Sequence, residues 1–145
     1  MPEGPDHSEP TPAQDAALAA AMLAVDPLGL GGAVLRGRAG GVQENWLLAL
    51  RELVPDGLAI HRLPTHATDD RLLGGLDLTA TLAAGRPIVE RGILARANVG
   101  SLLVPSAERL AATPAAKIGG ALDPGEVRSE RDGLAQQHAT RVSVI

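Results

Sequence analysis

Gly31-Gly-Ala-Val-Leu-Arg-Gly-Arg-Ala-Gly-Gly-Val-Gln-Glu-Asn-Trp46 is the stretch that decides the fold of this chain. Residues 33–36 read as a short apolar strand, and a helix begins near Val42. Between them lies a glycine-rich turn of Gly37, Arg38, Ala39, Gly40 and Gly41. Strand, glycine loop and helix in that order form the layout of a phosphate-binding P-loop, where loop amides and a helix N-terminus cradle an anion. The chemistry of that motif is missing. In the pattern G-x-x-x-x-G-K-[ST] begun at Gly37, the last glycine falls on Val42, the lysine on Gln43 and the hydroxyl on Glu44. A carboxylate at Glu44 would repel phosphate, and it is expected to take the positive helix end itself as a capping group. The loop therefore has the shape of a nucleotide site, with weak or no binding expected at Gly37, Arg38, Ala39, Gly40, Gly41, Gln43 and Glu44.

Composition narrows the class. At 145 residues the chain is long enough for one domain with a core. Its apolar residues are Ala, Leu, Val and Ile with two Met and one Trp, which suits a sheet covered by helices. A net charge of −4 argues against a nucleic-acid surface, and the near absence of aromatic residues removes base-stacking platforms. Without cysteine there is no disulfide framework and no thiolate metal site. No signal peptide and no apolar run of membrane-spanning length is present, so a cytoplasmic location is expected.

Residues 1–14, rich in proline and acids, are expected to form a disordered tail that proteases trim. The domain is expected over residues 15–145. An alanine-rich helix spans 15–25 with Leu18, Met22 and Val25 on its apolar face, and Asp26-Pro27 stops it. After the loop, Val42, Trp46, Leu50 and Leu53 mark a helix face flanked by Leu47, and Pro55-Asp56-Gly57 ends it. Residues 58–63 alternate as a second strand. His61 and His66 have no second ligand at a helical spacing, so neither reads as a metal site.

Thr68 caps a short helix, and Asp69 and Asp70, adjacent and not facing one another, read as first-turn acids. Gly74-Gly75 interrupts it, and Asp77 caps a helix over 78–84 closed by Gly85. Residues 88–97 read as a β-hairpin around Arg91-Gly92, with Arg86, Glu90, Arg91 and Arg96 as a charged docking surface. Residues 101–104 are the most strand-like run, ended by Pro105. Helices are expected over 106–112 and 114–122. A second hairpin follows over 126–136 with Asp132-Gly133 as its turn, then a strand from Arg141.

These segments resemble the AAA+ module of magnesium chelatase, and its D subunit more than its I subunit. The resemblance is carried by Leu23-Ala-Val-Asp-Pro-Leu-Gly-Leu-Gly-Gly, Thr68-Asp-Asp-Arg-Leu-Leu-Gly-Gly-Leu-Asp-Leu, Glu90-Arg-Gly-Ile-Leu-Ala-Arg-Ala-Asn-Val-Gly and Leu122-Asp-Pro-Gly-Glu-Val-Arg-Ser-Glu-Arg-Asp-Gly. It implies a three-layer α/β fold of the P-loop NTPase (AAA+) type, with a parallel sheet core and β-hairpin insertions. The family's sheet order of 5-1-4-3-2 would leave 1-4-3-2 here, with the first strand as an exposed edge. The acidic pair that ends the third strand in active subunits falls on Pro105 and Ser106, which can neither hold Mg²⁺ nor polarise water.

The resemblance thus implies a non-catalytic platform for the I-subunit ring. With the porphyrin-binding H subunit, that complex uses ATP to insert Mg²⁺ into protoporphyrin IX during chlorophyll synthesis. It also implies that the sensor region, helical lid, acidic linker and integrin-like domain of a D subunit lie outside these residues, making the chain a fragment or reduced relative. Two other readings compete with it. One is a working ATPase with Arg38 replacing the lysine, and the other is a degenerate scaffold of a MoxR-like assembly.

Overall fold

The computed structural model describes residues 9–37, 40–131 and 134–145. The first half runs α1 (Pro12–Val25), α2 (Pro27–Leu30), α3 (Gly41–Leu53), β1 (Ile60–Arg62), α4 (Asp69–Leu73), β2 (Gly74–Leu76) and α5 (Leu78–Ala84). There follow β3 (Val89–Arg91), α6 (Ile93–Arg96), β4 (Ser101–Leu103), a 3-10 turn at Ala107–Arg109, α7 (Ala112–Leu122), β5 (Glu126–Arg131), β6 (Leu134–Ala139) and β7 (Ser143–Val144).

The central sheet is parallel, in the order β1-β4-β7. Its middle strand is buried on both faces, as the continuous apolar run from Leu102 to Val104 requires. Neighbouring residues serve opposite layers. Leu102 joins one core with Leu72, Leu94, Ile118 and Val127, and Leu103 joins the other with Leu23, Leu50 and Ile145. Helices α1 and α3 cover the second face, while α4, α6, α7 and the β5–β6 hairpin cover the first. The hydroxyls of Ser101 and Ser143, paired across β4 and β7, lie 2.6 Å apart and satisfy each other inside the core. This is the expected α/β three-layer architecture.

The first strand is reduced. Instead of a strand over 33–36, a single parallel bridge joins Gly32 to Val144, with Ala33 N–H donating to Val144 O (2.9 Å) and Val144 N–H to Gly31 O (3.0 Å). The bridge continues the order 1-4-3-2. Gly32 has φ +138° and lies so close that a Cβ would sit 1.9 Å from Val144 O. Only glycine permits that approach, and its conformation turns the chain out of register after one pair. Ala33 and Leu35 still pack on the core, whereas Val34 is exposed.

Helix faces also differ from the periodic reading. Helix α1 begins at Pro12, inside the expected tail, because Thr11 and Gln14 form a reciprocal capping box. It buries Ala20, Leu23 and Ala24 and leaves Leu18, Met22 and Val25 exposed. Small Ala20 and Ala24 flank the buried Leu23 on the packed face, while Leu18, Met22 and Val25 are turned outward. In α3 the buried face is Leu50 with half-buried Gln43, Trp46 and Leu47, while Val42 and Leu53 are exposed. Residues 1–8, most of the expected tail, lie outside the described residues.

The hairpin expected over 88–97 does not form. Val89–Arg91 pairs antiparallel with Gly74–Leu76, so that Gly75 faces Glu90, and α5 bridges the two strands. Residues Ile93, Leu94 and Ala95 are all buried in α6, a placement a two-sided hairpin arm could not give them. Gly92 sits 2.4 Å, measured from an added Cβ, from the backbone of Leu72, Leu73 and Gly74, which pins the start of α6 against α4.

The helix expected over 106–112 shrinks to the 3-10 turn, because Ser106 is left-handed (φ +52°) directly after Pro105. The second hairpin forms as expected from Glu126↔Ala139 to Arg131↔Leu134, and its Asp132-Gly133 turn lies outside the described residues. Thr68 and Asp77 cap α4 and α5 as expected.

Substituting Gly32→Ala should therefore detach the first bridge. We expect a loss of about 2 kcal/mol or more, seen as a fall in melting temperature of roughly 5 °C. An unchanged melting temperature would show that the bridge contributes nothing.

Candidate functional site

The glycine loop sits where the fold places it, between the bridge at Gly32 and the first turn of α3. Gly40 is the helix N-cap, and its carbonyl accepts from the N–H groups of Gln43 (3.2 Å) and Glu44 (3.4 Å). Gly37, Gly40 and Gly41 are exposed, and a Cβ at Gly40 or Gly41 would meet open space. Arg38 and Ala39 lie outside the described residues, so the proposed substitution of Arg38 for lysine has no geometry here.

Gln43 does not project from the loop as a P-loop lysine does. It is half-buried, and its Nε2 donates to Leu35 O (3.5 Å) and Gly37 O (3.4 Å). Two carbonyl oxygens thus face the first turn of α3 in the described part of the loop. A phosphate cradle needs N–H groups turned inward, and carbonyl dipoles so directed repel an anion. Glu44 is exposed, and α3 has no side-chain cap, so the expected capping role of its carboxylate is not realised. The helix end is left instead to Gly40, with Glu44 contributing only a first-turn charge.

At the end of β4, the positions of the missing acidic pair are a half-buried Pro105 and an exposed Ser106. The next acid, Glu108, is exposed beside Arg109 at 3.7 Å. No group of three or more His, Asp or Glu able to hold a metal occurs among the described residues. His61 is half-buried in β1, His66 is exposed, and Asp69 ties α4 to α7 through Lys117 at 2.5 Å. No helix among the described residues is long and apolar enough to cross a membrane.

A further surface that exposes apolar residues is the β2–α5–β3 unit. Helix α5 buries no residue and exposes Leu78 (67%) and Leu82 (83%), one helical turn apart, and Val89 in β3 is also exposed. The unit is nevertheless internally well tied. Asp77 accepts from Ala80 N–H (2.9 Å), Ile88 N–H donates to Thr81 Oγ1 (2.9 Å), and Asp77 N–H donates to Ile88 O (2.8 Å). Its exposed charges include Arg86, Glu90 and Arg91, while Arg96 is exposed at the end of α6. The leucine pair is legible in the sequence as an i, i+4 pair behind a capping aspartate.

No family model matches the chain. It is 39% identical over 117 residues, 81% of its length, to the magnesium-chelatase 67 kDa subunit of Chlorobaculum parvum. It is 37% identical over 83 residues, 57% of its length, to the magnesium-chelatase 38 kDa subunit of Acidiphilium rubrum. The chain spans 19% of the first relative and 24% of the second. Among solved structures it resembles a chain from the complex between subunits BchI and BchD of magnesium chelatase, built on a cryo-electron microscopy reconstruction. The TM-score is 0.64 at 27% identity, covering 90% of this chain and 50% of that one. The fold is therefore that of these AAA+ subunits.

Trp46 braces the site from behind, its Nε1 donating to Ala16 O in α1 at 2.8 Å. The Trp46→Phe variant should lose about 1 kcal/mol of stability or more, because it keeps an aromatic side chain but removes the donor and part of the ring volume. Chemical denaturation checks this, and a midpoint equal to wild type would make the bond inconsequential.

Proposed function

We propose that this chain is the degenerate AAA+ segment of a magnesium chelatase D-type subunit and serves as a non-catalytic platform for the ATP-hydrolysing I-type ring. The longer match to the 67 kDa subunit than to the 38 kDa subunit supports the D-type assignment. The single observation that carries the non-catalytic reading is Gln43, folded back onto the carbonyls of Leu35 and Gly37 at the position of the P-loop lysine. Pro105 and Ser106 support it independently, since they remove the groups that hold Mg²⁺ and orient the attacking water. In this reading ATP and Mg²⁺ act in the assembled complex, together with an H-type subunit that presents protoporphyrin IX. None of them is held tightly by this chain, which works in the cytoplasm.

A platform needs a contact surface, and the β2–α5–β3 unit is the best candidate. Leu78 and Leu82 are exposed among the described residues, and the same unit carries exposed Arg86, Glu90 and Arg91. Apolar anchors with a polar rim are the usual anatomy of a specific interface, and the charges set partner choice more than affinity.

Two measurements test the proposal. The purified chain should show no Mg²⁺-dependent ATP turnover above a blank. Turnover abolished by substituting Arg38 would favour the ATPase reading instead. The Leu78→Glu, Leu82→Glu double variant, with its fold checked by circular dichroism, should bind an I-type ring at least tenfold more weakly, about 1.4 kcal/mol. Unchanged affinity would exclude α5 from the interface.

A further inference from the structure

We infer that the Asn98–Val99 turn is a strained clamp that fixes where β7 begins, and through β7 holds the Gly32 bridge in place.

Helix α6 ends at Arg96 with Ala97 as its cap, and β4 starts at Ser101, so residues 97–100 must turn the chain from helix into sheet. Val99 makes that turn in a left-handed conformation (φ +65°), which a β-branched residue adopts only where its surroundings hold it. Core packing does not hold it, since Val99 is 49% exposed and belongs to neither core. What holds it is a set of hydrogen bonds. Val99 N–H donates to Arg141 O (2.6 Å), Gly100 N–H to Ala97 O (2.8 Å), and Arg141 N–H to Asn98 Oδ1 (2.9 Å). A Cβ on Gly100 would lie 2.5 Å from Ala59 O, so the other side of the turn is set against the chain entering β1.

The position of Asn98 gives its bond a particular role. In a parallel ladder the acceptors that face one neighbour recur at every second residue of a strand. Ile145 N–H donates to Leu102 O and Ser143 N–H to Gly100 O, so the next donor, Arg141 N–H, requires an acceptor at residue 98. The main chain there is still leaving α6, and the side-chain oxygen of Asn98 takes the place of the carbonyl, at the same offset of 43 residues. One side chain thus extends the ladder by a rung beyond the end of β4. Both main-chain groups of Arg141 are bound to the same dipeptide.

The rung matters because β7 consists of two residues, Ser143 and Val144, and so short a pairing specifies its register weakly. Thr140, just before, is tied elsewhere: its N–H donates to Gly125 O (2.7 Å) at the base of the β5–β6 hairpin. Arg141 is therefore where the chain passes from hairpin to sheet, and Asn98 fixes that point. Val144 then receives Gly32, with Ala33 N–H on its carbonyl and its own N–H on Gly31 O.

Residue-resolved amide hydrogen exchange by NMR on the intact chain, without nucleotide or partner, tests the clamp. In the wild type the Arg141 amide should be protected to the level of Ser143, and an unprotected Arg141 amide would overturn the clamp before any variant is made. Asn98→Ala removes the acceptor. Arg141 should then exchange about tenfold faster, the effect of one hydrogen bond, with Ser143, Val144 and Ala33 accelerated alongside, while Thr140 and α7 keep wild-type rates. Asn98→Asp keeps an acceptor of the same reach and should hold Arg141 within about threefold of wild type. Val99→Gly adopts the left-handed conformation freely and should leave Arg141 at least as well protected. Lost protection there would overturn the clamp by assigning the hold to the valine side chain. Acceleration confined to Arg141 would overturn it by making the bond local, and even acceleration along the whole chain by making Asn98 a general stability residue. If Asn98→Ala does not fold, the wild-type and Val99→Gly readings still decide. None of these readouts involves ATP turnover or ring binding, so failure of the clamp is separate from failure of the platform reading.

Discussion

The contact of Gly32 against Val144 is the constraint on which the position of the loop depends. Without it the described residues before β1 would be held to the sheet only by packing of α1, α2 and α3. With it, the backbone of residues 31–33 is fixed beside the last strand, and the chain leaves the sheet at a set point and direction. The glycine loop and α3 are then placed by geometry, and Leu50 and Trp46 secure them from below. A bridge of one residue pair is a slender anchor, which is why the absence of a side chain at Gly32 carries so much consequence. The same constraint leaves Val34 facing solvent at the sheet edge.

From that anchored entry the chain passes through the glycine turn into α3, where Gln43 Nε2 faces the carbonyls of Leu35 and Gly37. What is lost is more than a lysine and an acidic pair. The replacing groups are compatible with one another: an amide that satisfies loop carbonyls, a proline that ends β4, and a serine that turns the chain sharply. The fold is preserved because its layers depend on Leu102, Leu103 and their neighbours, none of which belongs to the lost chemistry.

Much of this was legible in the sequence where local signals and burial agree. The caps at Thr68 and Asp77, the β5–β6 hairpin and the buried β4 follow from short-range chemistry, whereas the parallel sheet was implied by the family resemblance. Helix faces were less legible. In α1 the spacing of Leu18, Met22 and Val25 suggested the core face, but the face that packs is Ala20, Leu23 and Ala24. In residues 88–97 a turn-like Arg-Gly pair suggested a hairpin, whereas the preceding Gly74-Gly75 supplied the true strand partner from across a helix. That pairing is non-local, so no window of sequence around Arg91 contains it. At the loop, the loss of lysine was readable, but the inward turn of Gln43 was not, because an exposed and a folded-back glutamine look identical in sequence.

Trp46 is the chain's only Trp, and there is no Tyr or Phe. Its indole lies in the seam between α1 and α3, on the same helix as Gln43 and one turn beyond it. Near-ultraviolet dichroism and intrinsic fluorescence of this protein therefore see one place only. They report the docking of the first helix behind the loop, and they are blind to the β5–β6 hairpin and to the insertion carrying Leu78 and Leu82. A loss of optical signal would mean that this seam has opened, even with the far side of the sheet intact.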